Sequence, residues 1–132
     1  MTTFVDTSAV YALLDARDRN HRRAAATLRE LLDRDEPLVT TNYVIVELLS
    51  LVQHRLGMAA LRAANDDILA IIATRWIDEE IHARAVASLL AARQRNLSIV
   101  DCVSFEMMRS RGLRAAFAFD SDFARQGFST RP

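Results

Sequence analysis

Thr3-Phe4-Val5-Asp6-Thr7-Ser8-Ala9-Val10 decides the reading of this chain. Residues 3–6 predict a short buried strand that ends on an acid. Asp6, Thr7 and Ser8 then supply N-cap chemistry for an apolar helix reaching Leu14. A strand that passes into a helix within one or two residues is a building unit of α/β domains.

The pattern repeats outward from there. Residues 20–34 are amphipathic, with Ala24, Leu28, Leu31 and Leu32 on one face and arginines on the other. Glu36-Pro37 ends that helix, and residues 38–40 predict a second brief strand. An apolar helix over 42–56 is closed by Gly57, where a left-handed cap is wanted. A helix over 58–73, a third strand at 75–77 and a helix over 79–94 follow. Ser98 opens a further helix that Gly112 ends, and residues 115–119 predict a buried strand terminating at Asp120. Brief apolar strands alternating with helices imply an α/β fold with a parallel sheet, in one domain spanning residues 1–132.

The composition is that of a globular protein, 51% hydrophobic and 26% charged. No apolar stretch approaches membrane-spanning length, and the acid at position 6 interrupts any leader-like segment. A lone cysteine, Cys102, cannot form an internal disulfide, which fits a reducing cytoplasm. His21, His54 and His82 lack metal-ligand spacing, and no glycine-rich phosphate loop is present. The formal net charge is zero, and all 17 basic residues are arginine. Setting four acids aside as ligands leaves a surplus of +4, so the neutral total is compatible with a polyanionic substrate.

Ligands of open α/β sheets gather beyond the carboxyl ends of the strands. Asp6 and Asp120 are predicted at such ends, while Asp101 and Glu47 fall in the early turns of helices. Each has a structural alternative: Asp6 as an N-cap, Asp101 in a capping box with Ser98, Asp120 in a turn. Glu47 lies among Val44, Ile45, Val46, Leu48 and Leu49. A buried unpaired carboxylate there would cost several kcal/mol, roughly, so a cation is expected beside it. Carboxylates gathered in one crevice repel unless a divalent cation intervenes, and oxygen-only ligands favour Mg²⁺ or Mn²⁺. Arg17, Arg19, Arg22 and Arg23 are candidates to hold phosphates.

Four blocks, in order, resemble the signatures of PIN domains: Phe4-Val5-Asp6-Thr7-Ser8-Ala9-Val10, Val44-Ile45-Val46-Glu47-Leu48-Leu49, Leu97-Ser98-Ile99-Val100-Asp101-Cys102-Val103-Ser104-Phe105 and Ala116-Phe117-Ala118-Phe119-Asp120-Ser121-Asp122-Phe123. Their order and the chain length are nearest to the VapC toxins of toxin–antitoxin pairs. The resemblance implies a short-stranded parallel sheet flanked by helices on both faces, and Mg²⁺- or Mn²⁺-dependent cleavage of RNA, with Asp6, Glu47, Asp101 and Asp120 as the catalytic and metal-binding acids. Asp122 matches a further metal position that is acidic in some members. Homodimers, and an antitoxin segment entering the acidic crevice, are implied likewise.

Rival readings fare worse. A phosphoryl-accepting receiver domain uses a late lysine, and none exists here. A haloacid-type phosphatase needs an acid two residues after its nucleophile, where this chain has Ser8. A binding module on the same fold, without catalysis, is the remaining alternative, and all four acids being present speaks against it.

Overall fold

The computed structural model describes residues 1–131. Five parallel strands form one sheet in the order β3-β2-β1-β4-β5: β1 Thr3–Val5, β2 Leu38–Thr41, β3 Ala73–Arg75, β4 Ala115–Phe117 and β5 Ser129–Arg131. Helices α1 Thr7–Leu14, α2 His21–Asp33, α3 Asn42–Leu56, α4 Met58–Ala63, α5 Glu79–Ala92, α6 Ile99–Ser110 and the short α7 Asp122–Arg125 cover it. No helix among the described residues is long and apolar enough to cross a membrane.

β1 occupies the centre, and its three residues are buried on both faces. Successive side chains alternate between the faces, as the pleat requires. Val5 and its β4 neighbour Phe117 pack with Val10, Leu31, Leu48 and Val52 of α1, α2 and α3. Phe4 and its neighbour Ala116 pack on the other face with Phe105, Met108 and Phe123. The parallel sheet is the one that the alternation of elements implied, and its helices lie on both faces as the resemblance implied. Polar ties fix the register: the Thr40 hydroxyl donates to the Val5 carbonyl at 2.8 Å, and the Thr3 hydroxyl donates to the Glu36 carboxylate.

Several boundaries differ from the sequence reading, each for a local reason. The helix expected over 58–73 stops at Ala63 and continues as a π-turn, Ala64–Ile68, and a 3-10 turn, Leu69–Ile71. Asn65, Asp66 and Asp67 stand in succession there, and short polar side chains compete for helical backbone groups. β3 lies at Ala73–Arg75, two residues before the expected position. Its register against β2 uses Ala73, Thr74 and Arg75, while the Ile77 amide donates to the Asn42 side chain at 2.8 Å and leaves Trp76 79% exposed. β4 ends at Phe117 because the Phe119 amide donates to the Ser8 hydroxyl at 3.0 Å, not to a neighbouring strand. α7 and β5 were not anticipated: one is a single turn and the other a partly exposed edge strand with no apolar pattern.

Gly57 joins α3 to α4 at φ +90° and ψ −175°, a region that side chains avoid. A Cβ there meets nothing within 4 Å, so backbone conformation alone sets the cost of adding one. Gly57→Ala is expected to lower unfolding stability by about 1–3 kcal/mol, at unchanged urea dependence. A loss below about 0.5 kcal/mol in urea titrations would mean that the joint relaxes freely.

Candidate active site

All five strands run the same way, so their carboxyl ends lie on one edge of the sheet, and the acids assemble there. Asp6 directly follows β1 and caps α1 with extended backbone, φ −89° and ψ 159°. Its Oδ2 accepts from the Ser8 amide at 3.2 Å and from the Ser8 hydroxyl at 2.7 Å. The same hydroxyl accepts from the Phe119 amide, and the Asp6 amide donates to the Phe117 carbonyl at 3.0 Å. Ser8 therefore ties the end of β1 to the segment that carries Asp120.

Asp101 stands in the first turn of α6 within the anticipated capping box. Its amide donates to the Ser98 hydroxyl at 3.0 Å, and the Ser98 amide donates to Asp101 Oδ2 at 3.4 Å. Asp120 lies three residues beyond β4 and accepts from the Asp122 amide at 2.9 Å. Asp122 opens α7 and accepts from Arg125 Nη1 at 2.7 Å.

Asp101, Asp120 and Asp122 each offer a carboxylate oxygen, and these oxygens all lie within 4.8 Å of one another. A hard divalent cation fits that donor set, which is oxygen only and anionic. Asp6 and Glu47 stand outside this triplet but act on it: the charges of Asp101 and Asp120 bear on Asp6, and that of Glu47 bears on Asp101. Burial pushes the Asp6 carboxyl up to about 7; the Ser8 hydrogen bonds oppose this, and the neighbouring charges add to it. Burial pushes Asp101 up to about 6, opposed by Ser98 and reinforced by Asp120 and Glu47. Asp120 is also raised, by burial first and by the Asp122 charge in addition. The Thr7 hydroxyl, next to Asp6, is buried without a hydrogen-bond partner among the described residues.

Glu47 differs from expectation. It is half-buried at the rim of a cavity of about 420 Å³ and is not enclosed by apolar side chains. α3 turns Val44, Leu48 and Val52 inward at four-residue spacing, which leaves Val46 65% exposed and Glu47 on the flank. Solvent supplies the compensation that an apolar surround would have withheld, and no cation pairs with Glu47 among the described residues.

On the Asp120 side, a cleft of about 590 Å³ is lined by Arg19, Asn20, Arg23, Asp120 and Ser121 among others. Of the four arginines proposed from sequence, Arg19 and Arg23 reach this cleft, and Arg17 and Arg22 are not among its lining residues. Neither lining arginine is ion-paired among the described residues. The histidines are otherwise engaged or exposed: His21 Nδ1 lies 2.7 Å from the Ala12 carbonyl and His82 bonds the Tyr43 hydroxyl, while His54 is exposed. Cys102 is buried against Ala85 and Val103, a small core residue.

Comparisons with known proteins bear on this geometry. The PIN domain family profile matches residues 3–129. The 23S rRNA-specific endonuclease VapC20 of Mycobacterium tuberculosis is 35% identical over 127 residues, covering 95% of this chain and 94% of that protein. The crystal structure of Mycobacterium tuberculosis VapC20, described as a sarcin–ricin loop cleaving toxin, is similar at a TM-score of 0.85 and 32% identity. It covers 99% of this chain and 100% of that one. VapBC2 from Rickettsia felis, solved with a DNA fragment from their promoter, has a TM-score of 0.73 at 12% identity over 98% and 97% of the two chains, a likeness of fold alone.

A folded-state pKa above the unfolded value makes ionisation work against folding. The stability from protonated Asp6 and Asp101 is fully present below about pH 4. It is lost as pH rises through about 6 for Asp101 and about 7 for Asp6. Asparagine keeps the capping acceptor, so metal-free Asp6→Asn is expected to exceed the wild type by about 1–3 kcal/mol near pH 8, with the gap closing near pH 4. Denaturation in chelator across that range checks it. Equal stability at the alkaline end would remove Asp6 from the cluster.

Proposed function

The chain belongs to the PIN-domain family, and from that premise we propose that it is a Mg²⁺- or Mn²⁺-dependent endoribonuclease acting as the toxin of a toxin–antitoxin pair. The observation that carries the proposal is the convergence of three carboxylate oxygens within 4.8 Å, with Asp6 and Glu47 electrostatically joined to them. Such a group is costly to keep ionised without a cation and is suited to one.

In this reading Asp101, Asp120 and Asp122 hold the ion, with Asp6 beside them. When bound, the ion offsets their repulsion, makes a water more acidic and stabilises charge on a phosphoryl oxygen. The protein's own groups do the rest. Ser8 orients the Asp6 carboxylate by two hydrogen bonds, and Ser98 orients Asp101. The Asp122 amide fixes Asp120, while Arg125 steadies Asp122. Glu47 is the acid with no hydrogen-bonded partner among the described residues, which suits it to take the proton of an attacking water. Arg19 and Arg23 draw the RNA backbone across the cleft, since guanidinium matches phosphate geometry.

The substrate proposed first is a structured loop of large-subunit ribosomal RNA, by analogy with the 23S rRNA specificity of the VapC20 relative. A cognate antitoxin that places a segment in the acidic crevice, a homodimeric state and a cytoplasmic site of action complete the proposal.

Purified protein is expected to cut such a stem-loop with Mg²⁺ or Mn²⁺ and to stop in chelator. Asp101→Asn and Asp120→Asn should each reduce the rate by about a hundredfold or more. Asp122→Asn should cost less than Asp120→Asn, because Arg125 already shares the Asp122 carboxylate. Cleavage that persists in chelator and in both severe variants would refute the metal mechanism, and RNA binding with no cleavage would favour a binding module.

The cleft arginines give a separate expectation. Arg19→Ala with Arg23→Ala should raise KM about tenfold, change kcat little and flatten the salt dependence of binding, as loss of phosphate contacts does. A kcat effect as large as the KM effect, from steady-state rates at several salt concentrations, would assign the pair a role in chemistry.

A further inference from the structure

Two clefts flank the acids, and they differ in kind. The one beside Asp120 carries two arginines. The other, of about 420 Å³, is lined by Asn42, Tyr43, Val46, Glu47 and Val100, and its walls are chiefly apolar. Of its lining residues, the hydrolytic scheme uses only Glu47. Val46 is an exposed valine on an otherwise orderly helix, and Tyr43 presents an aromatic ring half-open to solvent.

This second cavity meets the acidic group at one residue. Glu47 lines it, and Val100 is the residue before Asp101. An RNA backbone that passes Glu47 would bring one nucleoside beside Tyr43 and Val46, which line the same cavity. The cavity also has a fixed polar edge. The Asn42 Oδ1 accepts from the Ile77 amide at 2.8 Å, which orients the side chain and leaves its amide nitrogen as a donor without a partner among the described residues. The Tyr43 hydroxyl is committed to His82 Nδ1; the two rings lie 5.8 Å apart at a 46° tilt. That bond holds the tyrosine ring in place while its polar end is occupied.

An aromatic ring, branched aliphatic walls and a positioned amide donor are what an unstacked base needs. Its face is covered by the ring and its edge is met by a hydrogen bond. We infer that the Tyr43–Val46–Val100 cavity binds a single nucleobase adjoining the scissile phosphate, and so sets the position of cleavage. The inference rests on the nuclease reading above and adds to it a specificity subsite that shares no lining residue with the Arg19–Arg23 cleft. A peptide segment or a second copy of the chain would satisfy the apolar walls equally; a base is favoured because Glu47, the residue given the attacking water's proton, lines the same cavity.

The test uses the full chain and a set of RNA stem-loops carrying one abasic nucleotide at each position around the cleaved bond. For the wild type with Mn²⁺, one flanking position is expected to lose about tenfold or more in kcat/KM when abasic, the others little. In Tyr43→Ala and Val46→Arg the intact substrate should fall by a similar factor, and the abasic penalty should vanish, because the subsite is already gone. Tyr43→Phe, which keeps the ring, should retain most of the penalty. In parallel, the same RNAs carrying 2-aminopurine at each position are bound in chelator, where quenching at one position in the wild type and not in Tyr43→Ala reports stacking without any hydrolysis. Position-independent losses, or quenching unaltered by Tyr43→Ala, would overturn the subsite while leaving the nuclease reading intact. Position-specific quenching without cleavage at any metal concentration would keep the subsite and remove the nuclease. A change of oligomeric mass in Val46→Arg by light scattering, with the abasic profile unchanged, would give the cavity to a second copy and overturn the inference.

Discussion

The Ser8 hydroxyl makes two bonds that the site cannot do without. It donates to the Asp6 carboxylate and accepts from the Phe119 amide. The first bond fixes the acid that follows the central strand. The second diverts the chain after Phe117 out of the sheet and toward α7, which carries Asp120 and Asp122 to the same place. β1 and β4 are already paired through Thr3, Phe4 and Val5, so the hydroxyl works at the point where pairing ends. A strand of three residues has little freedom to slip when both its faces are packed, because a shift by one would exchange Phe4 and Val5 between the two cores. Sheet register, the Ser8 bridge and the position of the acids are consequences of one another.

Helix capping and site building are here the same act. Read from sequence alone, capping and ligation compete as explanations of Asp6 and Asp101. The structure has Asp6 accepting from the amide of Ser8 and Asp101 completing a capping box, and each carboxyl still lies in the field of the others. The first turn of a helix that follows a parallel strand is at once where free amides need an acceptor and where strand ends converge. An acid at that point satisfies both demands with different oxygens or different lone pairs. Ser8 and Ser98 contribute alike, as hydroxyls that keep their carboxylates from turning away.

How much of this was legible depended on whether the signal was local. The strand at β1, the limits of α3 with Gly57 behind it and the Ser98 start of α6 are local patterns of hydrophobicity and capping, and they matched. The end of β4 was not local: Phe119 is apolar and looks like strand, and only a hydroxyl 111 residues away takes its amide. β3 was displaced because Trp76 and Ile77 have strand-like side chains, while the neighbouring strand pairs with Ala73 to Arg75. Glu47 was misjudged in its surroundings because a window of apolar neighbours does not tell which of them face inward on a helix. Val46, between them in sequence, faces out. Asp6, Asp101 and Asp120 drew notice as candidates because they stand at or near element boundaries, where capping and strand-end patterns are local; the division between the triplet and the flanking pair needed coordinates.

The acids also explain a tension between the site and the fold. Two of them stand at the N-terminal ends of α1 and α6, where free amides and the helix dipole favour negative charge by about 0.3–1 kcal/mol each. That help falls short, since burial still pushes Asp6 and Asp101 well above the ordinary carboxylate range. Nearby cations do little more: Arg125 engages Asp122 at the exposed edge, and Arg19 and Arg23 line the cleft unpaired. A fold selected for stability alone would have turned one of those arginines onto Asp6 or replaced Asp6 with asparagine, which caps as well. Instead the positive charges stand at the rim and the negative ones within. The centre is thus left under-neutralised where a small divalent cation would fit, and the rim is left cationic where a phosphate backbone would cross. Zero net charge, the balance of 17 arginines against 17 acids over the whole chain, does not disclose this separation.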